Sequence, residues 1–415
     1  MQWLNRAMLR LPTENTLDRK GIIMILSDLG IIVTGKTPST KKPEFWNGNI
    51  PFVTPKDIQG TKHILSTERK ITSFGLNSVK GAILPKGAIC VSCIGNIGYV
   101  GKTITNCVSN QQINSIVPSE NINSDYVFYL MKWLWPYFKN YEGQSTALSI
   151  LNKSQFSKIE IPCHSRKQQD DIANILNNID DRIELNNAIN NNLERQAQAI
   201  FKSWFVDFDP FGGNRPIDWI TGIVDDLGAK IICGKTPSTK KKEYYGGNTP
   251  FITIPDMHGC VYNVSTERYL SAAGVASQPK KTLPHNTVCI SCIGTAGLVT
   301  LVSEKSQSNQ QINSIIPKEG ISAYYIYLLM QTLSETINKL GQSGSTIVNL
   351  NKTQFGKIPV TIPSEQVLCN FDTLCKPLFE MILSNQKENI KLANLRDTLL
   401  PKLMSGELDV SNIDL

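Results

Sequence analysis

RKQQDDIANILNNIDDRIELNNAINNNLERQAQAIFKSWFVDF, residues 166–208, contains neither Pro nor Gly and places apolar or amide side chains at alternating steps of four and three. Those positions are Ile172, Leu176, Ile179, Ile183, Asn186, Asn190, Leu193, Ala197, Ile200 and Trp204, the spacing of a coiled-coil seam. At 1.5 Å per residue, a helix of roughly 40 residues reaches about 60 Å. Its apolar stripe therefore needs a partner along its whole length. A second seam of the same period runs through Val367, Phe371, Leu374, Leu378, Met381, Asn385, Glu388, Leu392, Leu395 and Leu399. Its matched length and position favour pairing of the two helices over the alternative, two separate amphipathic helices each packed on its own domain. Asn186, Asn190 and Asn385 fall on the seams, where a buried amide costs stability and fixes register.

Working outward, the helix separates two copies of one pattern. GKTPSTKKPEFWNGNIPFVTPKDI begins at Gly35, and GKTPSTKKKEYYGGNTPFITIPDM begins at Gly234. The offset of 199 residues persists at STER (Ser66, Ser265), at SNQQINSI (Ser109, Ser308) and at LNKSQF/LNKTQF (Leu151, Leu350). A repeat maintained over this length is a duplication. Within each copy, short runs such as IPFVT, AILPKGAICVSCI and INSIVP read as strands, and residues 125–141 and 323–340 read as helices. The predicted order is an unassigned segment (1–21), a first domain (22–165), a spacer helix (166–209), a second domain (210–363), and a spacer helix with tail (364–415). The fold class is α+β, with two similar strand-rich domains separated by two long antiparallel helices.

The chain carries a net charge of +7, unevenly spread. Residues 22–165 hold 14 basic and 8 acidic side chains and residues 210–363 hold 14 and 9, whereas residues 166–209 and 364–415 each hold 5 and 8. Positive domains and negative spacers predict a polyanion, nucleic acid above all, on the domains. No apolar run approaches the 18 residues of a membrane span, and the first 20 residues lack a signal-peptide core. The expected location is cytoplasmic, with no membrane contact and with the ten cysteines reduced.

The second copy serves as a control on motifs that suggest catalysis. GIIVTGKT (residues 30–37) satisfies a phosphate-loop pattern, but Pro38 follows at once and the spacing differs in the second copy. Asp57, Glu68 and Lys70 resemble a nuclease triad, yet Tyr269 stands where its lysine should recur; a salt-bridged turn at STER is the simpler expectation. Cys90/Cys93 and Cys289/Cys292 have zinc-like spacing, but residues three apart on a strand face opposite ways, which predicts small buried side chains. Asp209–Phe211 resembles a methyltransferase DPPF loop with one Pro missing and no Gly-rich cofactor loop upstream. No catalytic, metal-binding or cofactor-binding residue is predicted.

What recurs is polar and basic. Lys36, Thr37, Ser39, Lys41 and Lys42 return as Lys235, Thr236, Ser238, Lys240 and Lys241. Asn110, Gln111 and Gln112 return as Asn309, Gln310 and Gln311. Loop Lys, Ser and Thr suit phosphates, and Asn or Gln can pair with adenine edges; these are the candidate DNA contacts, although such amides also serve to hold a fold.

With these stretches, QAIFKSWFVDFDPF (198–211) and LRDTLLPKLMSGEL (395–408), the chain resembles the specificity subunit of a type I restriction-modification system. The first domain lacks the PIDW lead (216–219) with which the second opens. The resemblance implies two target-recognition domains, each reading one half of a bipartite site in double-stranded DNA, and an antiparallel spacer that docks two methyltransferase subunits. It further implies that S-adenosylmethionine binds to those partners, which methylate adenine, and that ATP and Mg2+ serve two translocating restriction subunits. None of these would bind this chain. Half-site differences are expected where the copies diverge, as at residues 59–65 and 259–264. A non-DNA repeat scaffold and a self-sufficient methyltransferase or nuclease are the alternatives.

Overall fold

The computed structural model describes residues 23–58, 62–139, 150–162, 164–341 and 349–410. The unassigned segment 1–21, and residues 59–61 of the divergent segment, lie outside them. Two compact units are present, and the boundary between them cuts both long helices: residues 23–181 with 392–410, and residues 182–391.

In the first unit, a five-stranded sheet takes the order Gly30–Thr34, Ile113–Pro118, Ile89–Ser92, Val100–Thr103, His63–Ile64. A four-stranded sheet follows the order Arg69–Ile71, Trp46–Val53, Cys107–Ser109, Ile83–Leu84. The second unit repeats the five-stranded sheet from Gly228–Cys233 to Tyr262–Asn263, and a three-stranded sheet joins Arg268–Leu270, Tyr245–Ile252 and Gln307–Ser308. Entry strands Ile23–Ile25 and Ile220–Ile223 pair with Glu160–Pro162 and Pro359–Ile362, so the first domain has an entry edge even without a PIDW lead. In each domain the predicted helix breaks into two, Ser124–Trp133 then Trp135–Lys139, and Ala323–Thr332 then Ser334–Gly341. Asn123 caps the first of these helices and Ser322 its counterpart, each accepting from two backbone amides. LNKSQF and LNKTQF form short helices closed by reciprocal Asn152/Gln155 and Asn351/Gln354 capping boxes, the arrangement that satisfies free N-terminal amides.

The long helices are Arg166–Phe205 and Glu365–Met404, each of 40 residues. They run antiparallel. In the second unit Arg182 pairs with Glu388 at 3.2 Å, Asn186 donates to Asn389 and Asn385 donates to Asn190, both at 2.9 Å. In the first unit Arg396 meets Asp180 at 2.7 Å. The two asparagine bonds exchange under the 199-residue offset, so a single amide pairing is used twice to set register.

Neither helix stands apart as a bare spacer. Ile172, Ala173 and Leu176 enter the core of the first domain beside Tyr126, Leu130 and Phe156, together with Leu403 and Met404. Ala197 and Phe201 enter the core of the second, beside Tyr325, Phe371 and Phe379. This packing corrects the predicted seam of the C-terminal helix. The seam positions Phe371 and Asn385 are buried as predicted, but Leu374 (47% exposed), Met381 (52%) and Leu395 (48%) face outward, and the off-seam Leu368, Cys375, Phe379 and Ile382 are buried in their place. A strict 3.5-residue seam drifts from the face of a 3.6-residue helix by about 20° per heptad, and packing onto the domain selects the latter. Of the other predicted pairing positions, Ile179 and Asn186 are buried, whereas Ile183, Leu193, Leu378 and Leu392 are half-buried. The C-terminal helix also continues through Pro377, which removes one backbone bond. Full burial of Phe371, Cys375, Phe379 and Ile382 offsets that loss. Among the described residues, no helix is long and apolar enough to cross a membrane.

Candidate nucleic-acid interface

Two loops that are distant in sequence meet in each domain. The strand Gly30–Thr34 lies beside Ile113–Pro118, so the GKTPSTKK loop leaves the sheet where the SNQQ turn enters it. Gly35 donates its N–H to the Ile113 carbonyl at 3.0 Å, and Gly234 does so to Ile312 at 3.0 Å. A Cβ on Gly35 would stand 2.0 Å from the Asn110 carbonyl oxygen, and one on Gly234 would stand 2.0 Å from that of Asn309. Only glycine permits this approach. Across the junction, the Thr37 hydroxyl donates to Gln111 Oε1 at 2.5 Å and the Thr236 hydroxyl to Gln310 Oε1 at 2.7 Å.

The SNQQ amides divide into two kinds. Asn110 Nδ2 donates to Gln112 Oε1 (2.8 Å) while Asn110 Oδ1 accepts the Gln112 amide (3.1 Å). Asn309 and Gln311 repeat both bonds at 3.0 Å. These four hold the turn. Gln111 and Gln310 are exposed, and with Oε1 occupied by threonine each presents its NH2 group as a donor.

Lys36, Ser39, Lys41 and Lys42 are exposed, as are Lys235, Ser238, Lys240 and Lys241; Thr37 is exposed and Thr236 half-buried. Aromatic residues hold the loop down. Trp46 Nε1 donates to the Ser39 carbonyl (3.1 Å) and the Tyr245 hydroxyl to the Pro237 carbonyl (2.7 Å). Lys42 sits 5.1 Å from the Phe45 ring centroid and Lys241 5.1 Å from that of Tyr244. One basic residue was overlooked in the sequence: Arg69, whose guanidinium lies 3.8 Å from the Trp46 ring centroid. Arg268 occupies its place in the second domain. The signal was STER itself, a recurring exposed arginine within a stretch assigned to a turn.

The catalytic-looking motifs have other uses. Residues 30–34 form a strand, and the loop beyond ends in a 3-10 turn, Pro43–Phe45, so no helix N-terminus awaits a phosphate. Asp57 accepts the Thr54 amide and hydroxyl at 2.7 Å through Oδ2 and the Glu68 amide at 2.9 Å through Oδ1, and Asp256 does the same for Thr253 and Glu267. Among the described residues, the STER turn is thus pinned by hydrogen bonds to a carboxylate and not by a salt bridge. Cys90 and Cys93 belong to different hydrophobic clusters, as do Cys289 and Cys292. Burial pushes the thiols up, Cys90 to about 11 and Cys93, Cys289 and Cys292 to about 12, which disfavours the thiolate that binds metal. Asp209–Phe211 begins a turn whose Phe211 packs on Trp204 and Trp219 (6.1 and 5.2 Å between centroids). It anchors the end of the central helix in an aromatic cluster.

The family description "Type I restriction modification DNA specificity domain" matches residues 23–195 and 216–369. The type I restriction enzyme HindI specificity subunit of Haemophilus influenzae is 32% identical over 439 aligned residues, covering 87% of this chain and 94% of that protein. The MjaIX specificity subunit of Methanocaldococcus jannaschii is 29% identical, covering 94% and 93%. In fold, the chain is similar to the crystal structure of a type I restriction-modification S subunit from M. genitalium, with TM-score 0.59, 16% identity, and coverage of 94% and 97%. Two duplicated domains, two paired helices and a match over most of the length lead to one assignment: the chain belongs to the type I restriction-modification DNA specificity family, as a specificity subunit and not a catalytic one.

Proposed function

We propose that the chain reads a bipartite site in double-stranded DNA, one half-site per domain, and carries that selection to methyltransferase subunits docked on its helices. The observation that carries this reading is the duplication of one basic surface: a glycine-tight loop junction, an exposed Gln donor and a lysine loop laid on aromatic rings. Lysines on loops position a protein on phosphates, and side-chain amides read base edges. Because the helices are antiparallel, the half-sites are read in inverted orientation, on the order of one DNA turn apart. Two methyltransferase and two restriction subunits complete the assembly in the cytoplasm, with S-adenosylmethionine, ATP and Mg2+ held by those partners.

The test is to co-express the chain with its methyltransferase partner and map N6-methyladenine across the host DNA. The expected result is methylation at two short elements separated by a fixed gap, dependent on this chain. An assembled complex that adds no methylation and binds DNA with no dependence on salt would leave the protein as a repeat scaffold.

A further inference from the structure

From the last residue of the divergent segment onward, ten residues read LSTERKITSF (65–74) in the first domain and VSTERYLSAA (264–273) in the second. Their backbone is held by the same bonds in both. Asp57 and Asp256 accept the amides of Glu68 and Glu267 at 2.9 and 2.7 Å. The hydroxyls of Thr67 and Thr266 donate to the carbonyls of Arg69 and Arg268 at 2.7 and 2.6 Å. At the far end, Thr72 and Ser271 each donate a backbone N–H, at 2.9 Å, to the carbonyls of Phe45 and Tyr244. Their hydroxyls bond the carbonyls of Glu44 and Glu243 at 2.7 and 2.5 Å. Gly75 and Gly274 then press on Phe45 and Tyr244, where a Cβ would stand 2.4 and 2.2 Å from the carbonyl oxygens. The short helix that follows is therefore docked in both domains on the turn that closes the lysine loop.

Inside this shared frame the displayed side chains differ. Phe74 is 68% exposed, one residue before Gly75 in the short helix docked on the turn that closes the loop carrying Lys41 and Lys42; its counterpart is Ala273. A large aromatic ring left in water on a basic surface suits a partner that is both anionic and flat-faced. Duplex DNA has both properties, and its base steps and thymine methyls take apolar side chains.

We propose that Phe74 is a specificity-determining residue of the first domain, laying its ring on the bases of one half-site, and that Ala273 leaves this contact out of the other. The inference rests on the bipartite reading proposed above. The STER frame sets where the position stands, and the residue there sets what is read.

The test uses the full chain in complex with its methyltransferase partner and compares methylation maps for wild type, Phe74→Ala, Phe74→Leu and Ala273→Phe. Ala273 demonstrates that the frame accepts alanine, so Phe74→Ala is expected to fold with an unchanged melting midpoint. Phe74→Ala should relax the sequence of one half-site at one or two positions and slow methylation there about tenfold. Phe74→Leu should fall between, and Ala273→Phe should alter the other half-site. Unchanged maps for both Phe74→Ala and Ala273→Phe would overturn the proposal while leaving the bipartite reading intact, as would equal weakening of both halves. A wild-type complex that methylates no bipartite site would remove both.

Discussion

The two domains share a frame yet close it differently beneath the helix that follows each five-stranded sheet. In the first, Lys62 and Lys102 both reach Asp125 Oδ1 at 2.8 Å, and the Lys62 ammonium also donates to Asn177 on the central helix while lying over the rings of Phe128 and Tyr129. The equivalent residues in the second domain are Val261, Leu301 and Tyr324, all buried, with Tyr324 stacked on Phe379 at 4.5 Å between centroids. One fold is thus completed once by ions and once by apolar packing. A buried charge cluster is not required for the fold, in keeping with the weak net contribution of buried ion pairs. Features held in common despite this difference, the glycine junction and the lysine loop above all, are the ones to weigh as functional.

The largest effect is expected where the copies agree. Gly35→Ala should destabilise the first domain by about 3 kcal/mol, since its Cβ would meet backbone and not a movable side chain. Gly234→Ala should do the same to the second, each measured by denaturant unfolding followed through hydrogen exchange in its own domain. Alanine tolerated at one site alone would break the equivalence of the two junctions.

A smaller effect should sharpen the contrast. Lys62→Met alone leaves Asn177 and Asp125 short of a buried partner and should cost about 1–3 kcal/mol. Replacing Lys62, Lys102 and Asp125 together by Val, Leu and Tyr, the set of the second domain, should be neutral or stabilising. A triple variant less stable than Lys62→Met would mean that the ions do more than fill the site.

The smallest effect is in pH dependence. Burial holds the His164 imidazole below its ordinary 6.5, whereas the second domain has Pro363 at the equivalent position. Unfolded chains take up a proton near 6.5 that the folded domain resists. His164 therefore favours the folded state above that pH, and the advantage is lost as pH falls towards the lowered folded value. Burial alone would raise the Asp125 carboxyl, but hydrogen bonds from Lys102 and Lys62 bring it below its ordinary 3.8. Its contribution is lost only in stronger acid. Between pH 7 and 5 the first domain should lose stability more steeply than the second, and His164→Gln should flatten the difference.

Much of this was legible in the sequence because it repeats or is periodic. Two 40-residue helices, two similar domains and the lysine loops followed from spacing and from the 199-residue offset. The outward rotation of Leu374 and Leu395 was not legible, because a seam counted in steps of four and three assumes that the other helix is the sole partner, whereas Phe371, Phe379 and Ile382 also bury against their own domain. Nor did SNQQ reveal which amides serve the fold. Asn110 and Gln112 satisfy each other while Gln111 bonds Thr37, 74 residues away in sequence, a partner that only tertiary structure identifies. Arg69 escaped for a related reason, since its place over Trp46 depends on strand pairing.

The central claim, one half-site per domain, is tested most directly by a chain in which residues 210–363 are replaced by a second copy of residues 22–165. Co-expressed with the methyltransferase partner and mapped for N6-methyladenine, it is predicted to direct methylation to two identical half-sites in inverted orientation. Retention of the original pair of unlike half-sites would contradict the claim.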